Sequence, residues 1–367
     1  MTRKSEYTSD FLKGLIKNMD NFYYDNHDML RFGPLMPREQ FKNFLREPLL
    51  NILKTTGIYR LLFKNSVESE KIDSFIENLT IFEYLYDHLE DENSKKLLIN
   101  LNCLMAIGHK KVNVKSNKEY CKKTEKILKK SISHDKKYIS ENYTLDLFDL
   151  GKLGYNIKVY SVLQGLLWLL GSKQYYHPEC NVEDGNIVID AGACFGDSAL
   201  LFANSVGKDG KVYSFELLSE NKEIINRNLS LNHHLKDRVE IITNALWDKS
   251  GENLPFIDNG GASRIIESES ADKYTNIKTL RIDDFVNEKK LSKVDFIKMD
   301  IEGAELKALI GAENTLRKFK PKLAISIYHK ISDFDDIPRY INELNLGYKF
   351  YLGHYTSHLE ETVLYAR

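Results

Sequence analysis

The 367-residue sequence has few cysteines, and its acidic and basic residues almost balance. Cys103, Cys121, Cys180 and Cys194 include no C-x-x-C pair, which argues against a disulfide framework or a cysteine metal site and favours a reducing, cytoplasmic location. The formal net charge of -1 gives no excess of positive charge that would indicate a nucleic-acid partner. These absences leave a globular protein, and its length predicts two or three domains.

Long hydrophobic runs are also missing. The N-terminal residues contain no apolar stretch of signal-peptide length. The longest apolar stretch, residues 159–170, is interrupted by polar residues and is too short to cross a bilayer. We therefore expect no integral membrane segment and interpret this stretch as a buried or interface helix.

The first half of the chain has helical periodicity. Residues 79–89 predict a helix with Thr80 as a possible N-cap, and a second helix over 95–107 follows the capping residues 91–94 and stops at Gly108. Residues 110–130 carry nine lysines against two glutamates. This basic stretch has the composition of a solvated helix face, although an anionic glycan, lipid headgroup or nucleic acid would also suit it.

The second half alternates short β-branched runs with helical segments, a pattern typical of a doubly wound α/β sheet. In the tail we predict two strands, at 348–351 and 362–365, which could form an antiparallel edge of the sheet. Residues 251–277 are polar and contain glycine, which indicates a hairpin and a loop. We predict a mainly helical N-terminal domain at 1–150, a connecting helix and cofactor-lid segment at 151–184, and the α/β domain at 185–367. The predicted strands are 187–189, 211–215, 239–242, 294–299 and 322–327.

The strongest functional signal is the run VIDAGACFGDSALLFA at residues 188–203. A predicted strand ends in Asp190, and Gly192 and Gly196 shape the turn into the next helix, where ligands bind in open α/β sheets. The spacing is not G-x-G-x-x-G, and Asp190 would repel a pyrophosphate. A cationic ligand such as S-adenosylmethionine, with its ammonium and sulfonium groups, suits this turn, including Ala193 and Cys194.

The next two strands end in polar residues that suit the rest of such a cofactor. Glu216 ends the second strand, where a carboxylate can accept hydrogen bonds from both ribose hydroxyls. Asn244 and Ala245 follow the third strand, where the amide side chain or a backbone amide can bind an adenine edge. We therefore expect all three residues to contact the cofactor.

These residues resemble the FkbM family of S-adenosylmethionine-dependent methyltransferases. The similar segments include KVYSFE, NALWD, the loop 261–264, LRIDDFV, DFIKMDIEGAELKALIGA and LAISIYHK, over roughly residues 185–367. The resemblance implies a Rossmann-like class I methyltransferase sheet and O-methylation of a sugar, a polyketide or a similar product. Cys194 departs from the small or amide side chain that many members carry there. The sugar of a bacterial surface polysaccharide or glycoconjugate is the acceptor we expect.

Methyl transfer to an alcohol oxygen requires that its proton leaves, so a base or a metal is the expected additional part. Asp300 ends the fourth strand and His329 follows the fifth, and either is a candidate base. We expect Glu302, Tyr328 and Ser263 to contact the acceptor, which is a small molecule or a glycan. Asp300, Glu302 and His329 could instead bind Mg²⁺, but we expect no metal.

Two other classes of protein remain as alternatives. An oxidoreductase would need the missing G-x-G-x-x-G motif, and a non-catalytic binding protein would not need the acidic strand ends. Residues 174–176 are a candidate flap over the methionine end of the cofactor. The helical first half is a candidate homodimer interface.

Overall fold

The computed structural model describes residues 6–19, 21, 79–114, 118–140, 142–257, 263–265 and 275–367. Its centre is a seven-stranded sheet in the order β6-β5-β4-β11-β12-β14-β13. β14 is antiparallel to both of its neighbours, and the other adjacent pairs are parallel. The seven strands are β4 (Ile187–Ala191), β5 (Lys211–Phe215), β6 (Val239–Ile242), β11 (Phe296–Met299), β12 (Lys322–Ser326), β13 (Phe350–His354) and β14 (Thr362–Ala366).

The sequence prediction of this sheet is confirmed, including the antiparallel C-terminal edge. The central strands are apolar and β-branched because helices cover both faces of the sheet. The tail hairpin places β14 between β12 and β13, so β13 forms the edge. The flanking helices of this half are α6 (Asp197–Ser205), α7 (Ser219–Leu231), α8 (His233–Lys236), α9 (Ile282–Glu288), α10 (Glu305–Ile310), α11 (Glu313–Phe319) and α12 (Asp333–Glu343).

Two of the described N-terminal helices, Thr80–His88 and Glu92–Ile107, overlap the helices predicted at 79–89 and 95–107. The helix α3 is capped by Asp91, which accepts hydrogen bonds from two backbone amides, and it stops at Gly108, where φ is 83°. The proposed cap at Thr80 is wrong, because α2 begins at Thr80 itself and Leu79 makes no side-chain cap. These helices are α1 (Glu6–Met19), α2 (Thr80–His88), α3 (Glu92–Ile107) and α4 (Lys118–Lys129).

The N-terminal helices pack directly on the sheet and its helices. The rings of Phe82 in α2 and Phe334 in α12 meet edge to face at 5.2 Å. At the sheet edge, Ser94 Oγ accepts a hydrogen bond from the Leu352 amide, so α3 covers β13. Both regions therefore share one hydrophobic core. Among the described helices, none combines the length and the apolar character needed to cross a membrane.

A small antiparallel sheet follows the N-terminal helices in the chain, and the sequence analysis did not predict it. Its strands are β1 (Ile132–Ile139), β2 (Thr144–Asp149) and β3 (Lys158–Ser161). Residue 150, the predicted domain boundary, lies between β2 and β3. The stretch 159–170, predicted as one helix, begins inside β3 and becomes helical only at α5 (Leu163–Leu166), which continues as a π-helical turn over Leu167–Gly171.

The insert after β6 confirms the predicted hairpin. Here β8 (Asn253–Ile257) pairs with β9 (Arg264–Ile265) and with β10 (Thr275–Leu280), and β10 also pairs with β7 (Ala245–Leu246). Gly261 and Ala262 of the predicted loop lie outside the described residues. Asp283, in α9, caps α11, because its carboxylate accepts hydrogen bonds from the Asn314 and Thr315 amides.

Candidate functional site

A cavity of about 300 Å³ lies at the carboxyl ends of the central strands. The parallel strands β4, β5 and β11 all end there, which brings residues that are far apart in the sequence to one wall. Predicted site residues that line this cavity are Gly192, Ala193, Cys194, Glu216, Asn244, Ala245, Ser263, Asp300, Glu302 and Tyr328. Asp190, Gly196 and His329 do not line it.

The turn after β4 needs its first glycine for two reasons. Gly192 has a φ of 81°, and a Cβ there would lie 1.9 Å from the carbonyl oxygen of Asp300. Cys194 is also in the left-handed region, with a φ of 48°, and burial raises the pKa of its thiol well above the usual value. Gly196 has a packing role, because a Cβ there would meet Ile225 at 3.1 Å.

Glu216 joins this turn to the next helix. Its Oε2 accepts a hydrogen bond from the Cys194 amide at 2.8 Å, and its Oε1 accepts one from the Leu218 amide at 2.9 Å. Burial raises the pKa of the Glu216 carboxyl, and the backbone amides oppose that rise. The carboxylate is thus fixed in the cavity wall by two main-chain donors.

The structure corrects the role of Asp190. Its side chain is fully buried, accepts a hydrogen bond from Ser198 Oγ at 2.9 Å and lies 3.3 Å from Lys298 Nζ, so it cannot face a ligand in the cavity. Lys298, in the middle of β11, also donates to the carbonyl oxygens of Ala191 and Gly192, at 3.1 and 2.5 Å. Lys298, paired with Asp190, therefore fixes the backbone of the glycine turn.

Lys298 remains charged despite its burial. Desolvation lowers its pKa, but the carboxylates of Asp190 and Asp300 outweigh that effect, and the pKa is raised overall. It is the only Lys, Arg or His among the residues that line the described cavity, whereas the carboxylates there are Asp197, Glu216, Asp300, Glu302 and Glu361. The cavity wall is thus predominantly anionic.

Asn244 and Ala245 lie beside the glycine turn, as predicted for the adenine end. The Asn244 amide group donates to the Lys278 carbonyl oxygen at 3.4 Å, which links it to β10 of the insert. Ala245 and Leu246 form the short strand β7 and contribute apolar surface to the same wall. This part of the cavity therefore combines apolar surface with the polar side chain of Asn244.

Asp300 is the centre of a hydrogen-bonded network at the other end. Its Oδ2 accepts a hydrogen bond from the Tyr175 hydroxyl at 2.5 Å, and its Oδ1 accepts one from the Tyr328 hydroxyl at 3.2 Å. Gln174 donates to Glu361 Oε2 at 2.5 Å, and the Tyr328 hydroxyl also approaches Glu361. The predicted flap residues Gln174 and Tyr175 thus line the cavity, while Tyr176 is exposed.

His329 lies behind this network, among carboxylates. Its Nδ1 is 3.0 Å from Glu305 Oε1, and its Nε2 is 3.5 Å from oxygens of Asp300 and Glu302. Burial lowers the pKa of His329, but the Glu302 and Glu305 carboxylates outweigh it and raise the pKa to about 11. A group that stays protonated at neutral pH and does not line the cavity is poorly suited to be the base predicted from the sequence.

Several residues in the wall were missed by the sequence analysis. Asp197 follows Gly196 directly, and its side chain accepts a hydrogen bond from Ser161 Oγ at 3.0 Å. Lys298 had a signal, since a charged residue interrupts an otherwise apolar buried strand. Trp168 and Glu361 had none, because the π-helical turn and the tail connection bring them to the cavity only in the folded chain.

Comparison with known proteins agrees with this arrangement. A family model described as the methyltransferase FkbM domain matches residues 190–350. The structure of an FkbM methyltransferase from Methylobacillus flagellatus is similar, with a TM-score of 0.50 and 22% identity. That match covers 81% of this chain and 60% of the other. This chain therefore spans less than two thirds of the length of that relative, and the likeness concerns the fold.

A fibrillarin from Aeropyrum pernix with bound S-adenosyl-L-methionine also matches, with a TM-score of 0.36 and 11% identity over 63% of this chain and 98% of the other. A comparison with curated protein sequences found no match. The resemblance seen in the sequence is confirmed by the family model over the residues that carry the glycine turn, Glu216 and Asp300. Residues 190–350 of this chain are therefore similar to the methyltransferase FkbM domain.

Proposed function

We propose that this protein transfers the methyl group of S-adenosylmethionine to a hydroxyl oxygen of a sugar. The observation that carries the proposal is the cavity itself, where five carboxylates and a single buried ammonium surround a glycine turn at the strand ends. A cofactor with a sulfonium and an ammonium group is electrostatically complementary to such a wall. The acceptor that we favour is a bacterial surface polysaccharide or glycoconjugate.

The residues fit this cofactor at both of its ends. Each carboxylate offers about four lone pairs, so Glu216, with two backbone donors, retains acceptor capacity for the two ribose hydroxyls. Asn244 and Ala245 suit the adenine, and Asp197 replaces Asp190 as the carboxylate that faces the methionine ammonium. S-adenosylmethionine supplies an electrophilic methyl group when it is bound.

The transfer itself forms a carbon–oxygen bond and breaks the carbon–sulfur bond, and the acceptor hydroxyl loses its proton. We assign that proton to Asp300, because its carboxylate lines the cavity and His329 does not. Tyr175 and Tyr328 hold the Asp300 carboxylate in one orientation. Most of the protein's contribution is then positioning, which suits a reaction whose electrophile is already activated.

The proposal of a sugar acceptor follows from the polar and aromatic groups around Asp300. Trp168, Tyr175 and Tyr328 offer ring faces and hydroxyls, and Glu302 and Glu361 offer acceptors for sugar hydroxyls. Carboxylates repel phosphate, so the part of the acceptor that enters the cavity is expected to be uncharged or cationic. A non-carbohydrate natural product with a similar hydroxyl is the alternative, as is a protein that binds without catalysis.

An acceptor screen with isotopically labelled methyl donor tests this proposal. Nucleotide sugars, oligosaccharides and lipid-linked glycans are incubated with the full chain, and label in the acceptor is counted. We expect transfer to a glycan, reduced roughly 10²–10⁴-fold in Asp300→Asn, the size expected for loss of a proton acceptor. Binding of S-adenosylmethionine without transfer to any acceptor would favour the binding protein, and binding of NADH instead would favour an oxidoreductase.

A further inference from the structure

Three acidic side chains surround the His329 ring at the end of the cavity where Asp300 lies. Asp300, Glu302 and Glu305 all place carboxylate oxygens within 3.5 Å of the His329 ring. Carboxylates gathered away from water are costly unless a cation accompanies them.

Two of these side chains have polar atoms without a satisfactory hydrogen bond. Glu305 is fully buried, and its Oε2 has no hydrogen-bond partner, although Oε1 accepts the Ile301 amide at 2.7 Å. The His329 side chain is 8% exposed, and neither ring nitrogen meets a carboxylate in hydrogen-bond geometry. Buried polar atoms in native proteins almost always have a partner, so these groups indicate a missing one.

The spacing of the donor atoms suits a metal ion. Asp300, Glu305 and His329 each offer one donor atom, and these three atoms lie within 4.8 Å of one another. Donors at about 2.1 Å from one octahedral cation are about 3.0 to 4.2 Å apart, so a small contraction would complete the site. We propose that Asp300, Glu305 and His329 bind a divalent cation at the acceptor end of the cavity.

Neighbouring side chains can orient these three residues as metal ligands, as hydrogen-bonding groups do around known metal sites. Both ring nitrogens of His329 face carboxylates, so whichever nitrogen binds the cation, the other can donate to an acidic group. Tyr175 and Tyr328 donate to Asp300 and orient its oxygens. Glu302 has a φ of 56°, a left-handed conformation that is unusual outside glycine, and it lines the cavity while its carboxylate lies 3.5 Å from His329 Nε2.

The ligand set decides which ion to test. Two carboxylates with one imidazole suit first-row divalent ions, and Mn²⁺ accepts both oxygen and nitrogen ligands. Because Asp300 also lines the cavity, a cation there would lie next to an acceptor hydroxyl and lower the pKa of that hydroxyl. This consequence rests on the proposed function, whereas the binding of the cation does not. The proposed cation site differs from the expectation, drawn from the sequence, that no metal is present.

Calorimetric titration of the chelator-treated full chain with MnCl₂ tests the site without any acceptor. We expect one Mn²⁺ per chain, with affinity reduced at least tenfold in Asp300→Asn and in His329→Gln. Pulsed electron paramagnetic resonance of the bound Mn²⁺ should show coupling to an imidazole nitrogen that disappears in His329→Gln. Asp336→Asn is the control, because it removes an exposed carboxylate of α12 that lies outside the cluster and the cavity wall, and it should bind Mn²⁺ like the wild type.

The absence of saturable binding, or binding that Asp300→Asn leaves unchanged, would overturn the proposal. If His329→Gln does not fold, the nitrogen coupling in the wild type and the Asp300→Asn affinity still decide the question. S-adenosylmethionine binding is measured on the same metal-free samples. Cofactor binding without Mn²⁺ binding would refute the metal site alone, and Mn²⁺ binding without methyl transfer would refute the proposed function alone.

Discussion

Replacing Glu216 by glutamine tests the cofactor site at the residue that the structure fixes most firmly. The substitution keeps the size of the side chain but turns one carboxylate oxygen into an NH₂ group. That group would then face the backbone amide of Cys194 or of Leu218, each of which now donates to a Glu216 oxygen at 2.8 or 2.9 Å. One buried main-chain donor loses its acceptor, and one ribose hydroxyl loses its charged partner.

The size of the effect follows from these contacts. A hydrogen bond to a charged group contributes about 1.5–3 kcal/mol, so losing one ribose contact should raise the dissociation constant of S-adenosylmethionine roughly 10- to 150-fold. A buried amide without an acceptor costs about 1–3 kcal/mol of folding stability. The variant should therefore unfold earlier in denaturant as well as bind the cofactor more weakly.

Isothermal titration calorimetry with S-adenosylmethionine, together with urea unfolding, measures both quantities. Glu223→Gln is the matched control, because that exposed residue lies in the first half of α7 and does not line the cavity. It should leave the dissociation constant unchanged. Wild-type affinity in a folded Glu216→Gln variant would refute the placement of the ribose at this carboxylate.

Three further predictions concern charges inside the fold. Lys298→Met should lower the free energy of unfolding by roughly 3–5 kcal/mol because it leaves Asp190 buried without its cation, and adding Asp190→Asn should restore part of the loss in a urea titration. Asp197→Asn should weaken cofactor binding about tenfold by calorimetry with little change in melting temperature, whereas an unchanged affinity would exclude the ammonium contact. Burial lowers the pKa of His354 to about 3, so below pH 6.5 the unfolded chain binds a proton that the folded chain does not. Between pH 6.5 and 5 the wild type should therefore lose about 2 kcal/mol of unfolding free energy that His354→Gln retains. An equal loss in both proteins, measured by urea unfolding at the two pH values, would contradict this.

The α/β half was predictable from the sequence because its strands and helices are separated by strong local signals. Most of the buried strands are short, mainly apolar runs, and a helix follows each of β4, β5, β11 and β12. The small sheet β1–β3 escaped prediction because β1 is mostly polar, as its sequence ISHDKKYI shows. Its register depends on tertiary contacts, such as the hydrogen bonds between Asn228 and the backbone of Tyr160.

At the site, residue type and strand position predicted Glu216 and Asp300, but not which carboxylates face the cavity. Asp190 and Asp197 are seven residues apart, and only the path of the turn decides that Asp197 is in the wall and Asp190 beneath it. The acidic surroundings of His329 were missed for a similar reason, since its carboxylate neighbours come from α10 and from the loop before it. Such distances depend on side-chain packing, which periodicity does not determine.

The central claim is that the cavity at the strand ends holds S-adenosylmethionine, with its ribose at Glu216 and its reacting end at Asp300. A crystal structure with S-adenosylhomocysteine tests this most directly. The account predicts both ribose hydroxyls within hydrogen-bond distance of Glu216 and the sulfur on the side of the cavity that Asp300 lines. A ligand bound elsewhere, or bound there with its ribose away from Glu216, would contradict it.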